Sequence, residues 1–182
     1  LSEDVVKSLL ESPEGLRLGG ERRRVTILMS DLRGFTSLSE KLSPSQLITF
    51  MNRLLERMTR AVSGQGGVID KFIGDAILCI FEGNDSAERA VACGIEMLGE
   101  VKTFNAEGGR PKDQTVQIGI DLHSGPVILG TIGSLERMDS TVLGLTVNLA
   151  KRLEEVTKIL HVDMIISDQV AKQLPDRNHY RL

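Results

Sequence analysis

Two aspartates are the residues whose type and setting could do chemistry. Asp31 ends the β-prone apolar run Val25-Thr26-Ile27-Leu28-Met29-Ser30, and Asp75 follows Gly74 in a tight turn between two β-rich segments, residues 68–72 and 76–81. Where the first strand of a sheet lies beside such a hairpin, the two carboxylates converge at one sheet edge. Hard oxygen ligands gathered at a point suit Mg²⁺ or Mn²⁺, which keep several waters and take substrate phosphates as further ligands. Two such ions about 4 Å apart activate an attacking oxygen and stabilise a leaving one. Either aspartate taken singly is more often a turn residue that bonds nearby amides, and both readings stand at this point.

The loop Leu32-Arg33-Gly34-Phe35-Thr36 comes next. Gly34 allows a ligand close to the backbone, and successive N–H groups before a helix form a nest for phosphate. Many strand-to-helix turns contain glycine, so the loop alone is a weak signal.

These residues need elements to position them. Ser43-Pro44-Ser45-Gln46 is a helix start, with a capping serine, proline at the first position and glutamine three residues on. Leu47, Phe50, Met51, Leu54, Met58 and Val62 then recur at helical spacing, and Gly64, Gly66 and Gly67 stop the helix. Asp85 and Glu88 open a second helix with Ala87, Val91, Ile95 and Leu98 on its inner face. Residues 116–122 alternate as a strand, a turn is expected at Ser124-Gly125-Pro126, and a second strand runs to about Thr131. A loop at 133–142 leads to a helix near 145–157 with Val147, Ala150, Leu153 and Val156 inward, then a short strand at 163–166 and a last helix at 168–174. The order β-α-β-β-α-β-β-α-β-α, with hairpins among crossovers, implies an α+β, ferredoxin-like sandwich: a mostly antiparallel sheet with helices covering one face.

Length and composition bound the function. With 182 residues the chain suits one domain and one core. A net charge of −3 gives no basic field for nucleic acid or acidic lipid, so a phosphate-bearing substrate needs local cations, amides or metals. No apolar run approaches the roughly 20 residues of a membrane-spanning helix, and no signal peptide opens the chain. Cys79 and Cys93 lie in apolar segments and read as reduced core residues of a cytoplasmic protein. Residues 1–20 read as a connector from an upstream region, with residues 21–182 as the domain itself; the start at Leu1 suggests a piece of a longer protein, whose membrane tether, if any, lies elsewhere.

Three motifs occur in order: SDLRGFT at 30–36, GGVIDKFIGDAILCIF at 66–81 and GLTVNLAKRLE at 144–154. Together they resemble the catalytic domain of class III adenylate and guanylate cyclases, over about residues 20–175. The resemblance implies conversion of ATP to cyclic AMP and pyrophosphate by two metals, Mg²⁺ or Mn²⁺, in a homodimer with two shared active sites. One chain supplies the metal aspartates and the other the base- and ribose-contacting residues.

Asp31 and Asp75 match the metal ligands, with the Leu32 carbonyl as an additional one, and the amides around Gly34, Phe35 and Thr36 match the triphosphate loop. Lys71 matches the purine-reading position, where adenylate cyclases carry Lys and guanylate cyclases usually Glu; a solvated lysine beside a turn is the plain alternative. Thr141, seven residues before Asn148, matches the second base-reading position. Asp139 competes with it, since the match crosses a loop, and a β-branched strand residue is the plain reading. Threonine there resembles a bacterial and soluble-type subgroup, some of whose members respond to bicarbonate, which makes bicarbonate a candidate regulator. Asn148 and Arg152, at i and i+4 on one helix face, match the ribose-orienting and transition-state residues; an arginine in such a place is commonly a plain surface residue.

Two departures stand out. Leu145 replaces a frequent Asp or Asn, and the family's triphosphate lysine lies in a hairpin beyond Leu182. His123 reads as a structural histidine at a strand end, and His161 and His179 show no metal spacing. The rival readings are a guanylate cyclase, against which Lys71 argues, and a silent nucleotide-binding or dimerisation module, which would usually lack a metal Asp or the transition-state Arg. The signature turn of a diguanylate cyclase is absent.

Overall fold

The computed structural model describes residues 20–107, 115–134 and 137–175. Residues 1–19 of the expected connector, and His179, lie outside them. The expected α+β architecture with a mostly antiparallel sheet is present. Strand β1 (Gly20–Leu32) is central, between β3 (Ala76–Phe81) and β4 (Ile118–Ser134), and antiparallel to both. Strand β2 (Val68–Ile73) extends the sheet beyond β3, and β5 (Arg137–Leu143) extends it beyond β4, giving the order β2-β3-β1-β4-β5. Short β6 (Met164–Ile166) pairs with β4 in parallel.

Strand β1 starts earlier than its apolar run because exposed Glu21–Arg24 pair with residues 126–129 of β4. Strand β4 is likewise longer than expected: no turn forms at Ser124-Gly125-Pro126, and β5 occupies the segment read as a loop. Proline is tolerated there because β6 pairs only with residues 120–122 and β5 only from Ile128 onward. Between them β4 has no described neighbour on the side away from β1, so a missing N–H breaks no ladder there.

Helix α1 (Phe35–Lys41) is a short element not anticipated from periodicity. Helix α2 (Pro44–Gly64) carries the expected capping box: the Gln46 amide donates to Ser43 Oγ at 3.3 Å and the Ser43 amide to Gln46 Oε1 at 3.0 Å. With α3 (Ser86–Glu107) and α5 (Asp168–Ala171), α2 covers one face of the sheet, where Leu28, Leu54, Phe81, Val91, Met97, Ile120, Leu122 and Val170 form the larger core. Ile95 is 55% exposed rather than inward, because α3 turns Ala90, Cys93, Gly94 and Met97 to the sheet. Cys79 and Cys93 are free and buried, as their apolar setting implied.

Helix α4 (Leu145–Leu160) differs from expectation in side and in phase. It packs on the opposite face, over a second core of Val25, Ile27, Met29, Leu78, Val127, Val142 and Ala150. Its buried face is Thr146, Ala150, Glu154 and Thr157, and Val147, Leu153 and Val156 are only half-buried. The sheet beneath explains this. A Cβ on Gly119 would lie 2.6 Å from Thr157 Oγ1, so glycine there lets the helix sit close. Asp121 and His123, the next residues on that face of β4, offer a polar floor.

Candidate active site

Asp31 lies near the end of β1, which is held on both sides, so its carboxylate is fixed at a sheet edge. Asp75 occupies the two-residue turn between paired Ile73 and Ala76, and Gly74 supplies the positive φ of 63° this turn requires. The strand order places β3 beside β1, so the hairpin tip and the β1 end meet. The Asp75 carboxyl is pushed above the usual range by burial, then by the Asp31 charge and by hydrogen bonding with the Asp31 carboxyl. Amides of Asp75 and Leu32 pull it partly back. Two carboxyl groups held close together are a setting a divalent cation relieves. Among the described residues no group of three or more Asp, Glu, His or Cys could hold a metal. The two carboxylates therefore fit an ion that keeps waters and takes substrate oxygens, not an all-protein cage.

Gly34 stands in the left-handed region at φ 67° immediately before α1, with open space where a Cβ would be. A cleft opens beside it, lined by Leu32, Arg33, Gly34, Phe35, Ser37 and Lys41 among others. Thr36 lies in the first turn of α1 but does not line that cleft. The first-turn amides have no intrahelical partners by construction of a helix, which fits the phosphate-loop expectation.

Lys71 on β2 and Thr141 on β5 come from opposite ends of the strand order, yet Lys71 Nζ donates to Thr141 Oγ1 at 2.5 Å. The sheet curls enough to bring its two edges together. A bulge between Ile69 and Lys71 accompanies this, and Asp70 Oδ2 lies 3.4 Å from the same ammonium. Thr141 is 7% exposed. Asp139 pairs with Ile132 in the β4–β5 ladder.

Asn148 and Arg152 are exposed on the first half of α4. They do not join Asp31. Lys158, near the far end of the same helix, bonds Asp31 Oδ2 at 2.7 Å. Asn148 lies ten residues before Lys158, roughly 15 Å along the axis, and Arg152 six residues before it, roughly 9 Å away and on another face. The residues expected to form one site therefore divide within one chain between the Asp31 end and the Asn148–Arg152 end of α4.

Four residues of this region are not found by sequence reasoning. Lys158 bonds both Asp31 and Glu154, the latter at 3.2 Å to Oε1. Arg33 donates to the carbonyl oxygens of Thr157 and Val162, tying the loop before α1 to the end of α4. Asp121 is fully buried, neither carboxyl oxygen has a protein partner, and burial, followed by the charge of Glu154, pushes its carboxyl up to about 9. Glu154 is buried as well and shifted upward, chiefly by that burial. The i,i+4 Glu154–Lys158 pair is visible in sequence, but nothing local connects it to a strand 127 residues away. His123 is 7% exposed, its Nδ1 has no protein partner, and burial lowers its pKa, in keeping with a structural histidine.

The sequence model of the "Adenylate and Guanylate cyclase catalytic domain" family matches residues 20–182. An adenylate cyclase of Anabaena cylindrica is 37% identical over 166 residues, covering 88% of this chain and 33% of that protein. The chain thus spans about a third of that relative's length. A bacterial light-regulated adenylyl cyclase structure superposes with a TM-score of 0.82 at 30% identity, covering 89% of this chain and 48% of that one. The crystal structure of the guanylyl cyclase Cya2 superposes with a TM-score of 0.78 at 37% identity, covering 88% and 82%.

Proposed function

The chain belongs to the adenylate and guanylate cyclase catalytic domain family, and on that premise we propose that it converts ATP to 3′,5′-cyclic AMP and pyrophosphate as a homodimer. The observation that carries the reading is the meeting of Asp31 and Asp75 at one sheet edge. Residues 21–182 act as the catalytic domain, residues 1–20 as a connector, and the reaction is cytoplasmic. No described helix is long and apolar enough to cross a membrane.

In the reaction the ribose 3′ oxygen bonds to the α-phosphorus, the bond from that phosphorus to the oxygen leading to the β-phosphate breaks, and the 3′ proton passes to solvent. Mg²⁺ or Mn²⁺, two per site, held by Asp31, Asp75 and the Leu32 carbonyl, would supply a lowered 3′-hydroxyl pKa and offset phosphate charge. The amides of Gly34, Phe35 and Thr36 hold the triphosphate. Lys71 donates to adenine N1, and the Thr141 oxygen, with one lone pair taken by Lys71, accepts from the adenine amino group. Asn148 orients the ribose and Arg152 stabilises charge at the α-phosphate. Attacker and target share one molecule, so the protein supplies orientation and charge stabilisation.

The separation of Asn148 and Arg152 from Asp31 along α4 supports a site completed by a second chain. Phe72, Ile73, Ile128, Leu143, Leu145 and Leu149 are large apolar residues left exposed along the β2–β3 hairpin, the β4–β5 ladder and the start of α4. Burying them against a second copy would bring Lys71, Thr141, Asn148 and Arg152 to the partner's carboxylates.

A guanylate cyclase is the second reading, favoured by the name of the 37%-identical Cya2 structure. Guanine N1 bears a hydrogen, which the Lys71 ammonium opposes. Assaying ATP against GTP with Mn²⁺, with and without bicarbonate, decides between them. A preference for GTP sinks the adenylate reading, and nucleotide binding without cyclic product points instead to a silent module.

A further inference from the structure

We propose that Lys158 is a built-in counter-cation of the Asp31–Asp75 pair, steadied by Glu154, and that a divalent ion displaces it on loading. The inference rests on the reading of Asp31 and Asp75 as metal ligands.

Lys158 Nζ lies 2.7 Å from Asp31 Oδ2, the distance of a charge-assisted hydrogen bond, so the ammonium occupies one of the oxygens a metal would use. A dication and an ammonium on the same carboxylate oxygen repel, and the lysine is the one that can leave. Its side chain is 47% exposed, against 20% for Asp31 and 8% for Glu154. The carboxylates are thus the more enclosed groups, and the lysine has solvent to move into. Glu154, buried on the sheet-facing side of α4, gives the ammonium a second anchor at 3.2 Å, so it returns to one place when the metal leaves. The backbone that carries it is also fixed, because Arg33 bonds the Thr157 carbonyl just before it. The arrangement answers a problem the two aspartates create. Asp75, on the β2–β3 turn, neighbours Asp31 in a half-buried setting, and two ionised carboxylates so placed repel without a cation. A lysine delivered from α4 offsets that charge in the metal-free protein at the cost of competing with the metal.

The test is Mn²⁺ binding to the full chain without nucleotide, followed by the electron paramagnetic resonance of free Mn²⁺, for wild type, Lys158→Met, Lys158→Arg and Asp31→Ala. Lys158→Met is expected to tighten the dissociation constant about two- to fivefold, the scale of an exposed ion pair. Lys158→Arg keeps the charge and stays near wild type, and Asp31→Ala abolishes the site. Metal-free Lys158→Met is expected to unfold at a lower temperature than wild type, with saturating Mn²⁺ closing the difference. If Lys158→Met leaves the constant unchanged or weakens it while Asp31→Ala still abolishes binding, the counter-cation role is wrong and the metal site stands. If Asp31→Ala binds Mn²⁺ like wild type, the metal site is wrong and the inference falls with it.

Discussion

Lys71 and Thr141, seventy residues apart in the chain, share a hydrogen bond of 2.5 Å that closes the curled sheet from β2 to β5. On the proposed reading, these are the two side chains that would meet a purine. An ammonium suits the unprotonated N1 of adenine, and the threonine oxygen keeps one lone pair for the amino group. Reversing the charge reverses the preference. Lys71→Glu is expected to lower kcat/KM for ATP by on the order of 10²-fold, the cost of a mismatched hydrogen-bonding group in a specificity site, and to lower it less or raise it for GTP. Competition between the two nucleotides in one reaction measures this directly, and an unchanged ratio would remove Lys71 from base recognition.

The split of functional residues between the two ends of α4 gives a second expectation. Asp31→Ala and Arg152→Ala should each be nearly inactive alone, with Arg152→Ala losing roughly 10²–10³ in kcat and little in KM. Mixed and allowed to exchange subunits, they form heterodimers in which one site carries both lesions and the other none. Recovery approaching about a quarter of wild-type activity follows from random pairing in a two-fold dimer. No recovery, with exchange shown by a tag on one partner, would place both residues in one chain's site.

Metal removal separates a catalytic ion from a structural one. Asp31 and Asp75 each lie on elements already closed by backbone pairing, β1 and the β2–β3 hairpin. Chelation should therefore abolish turnover while far-ultraviolet circular dichroism stays unchanged, and Mn²⁺ should restore it. Loss of secondary structure on chelation would mean that the ion holds the fold, as in closed structural sites.

What is legible in the sequence here is what is local. The Ser43 capping box, the Gly74-Asp75 turn and the convergence of Asp31 on Asp75 follow from residue types within a few positions of one another, plus one rule about strands beside hairpins. Lys71 and Thr141 are each singled out only through resemblance, and their contact depends on sheet curl, which no window of sequence encodes. The phase of α4 is misread from Val147, Leu153 and Val156 because apolar periodicity assumes an apolar floor. Here the floor is Gly119, Asp121 and His123, so Thr146, Glu154 and Thr157 turn inward instead. Asp121 alternates correctly with Ile120 and Leu122, and its face reads as solvated until a helix is laid over it.

That buried acid makes the last prediction. Asp121 ionises at about 9 in the folded chain against an ordinary value of 3.8, raised by burial and by the charge of Glu154. Between those two values the folded state holds a proton that the unfolded state has released. The stability this group contributes is thus fully present below pH 3.8 and is lost as pH rises toward 9. The slope from this one residue is about 1.4 kcal/mol per pH unit at most. Asp121→Asn keeps the shape and the neutral form and removes the titration. Its advantage over wild type should be about 1 kcal/mol at pH 4.5 and should grow to several kcal/mol by pH 8. Urea unfolding of both proteins at these two pH values measures the difference. Parallel behaviour of the two across the range would show that Asp121 is charged in the folded chain, with a partner that offsets its burial.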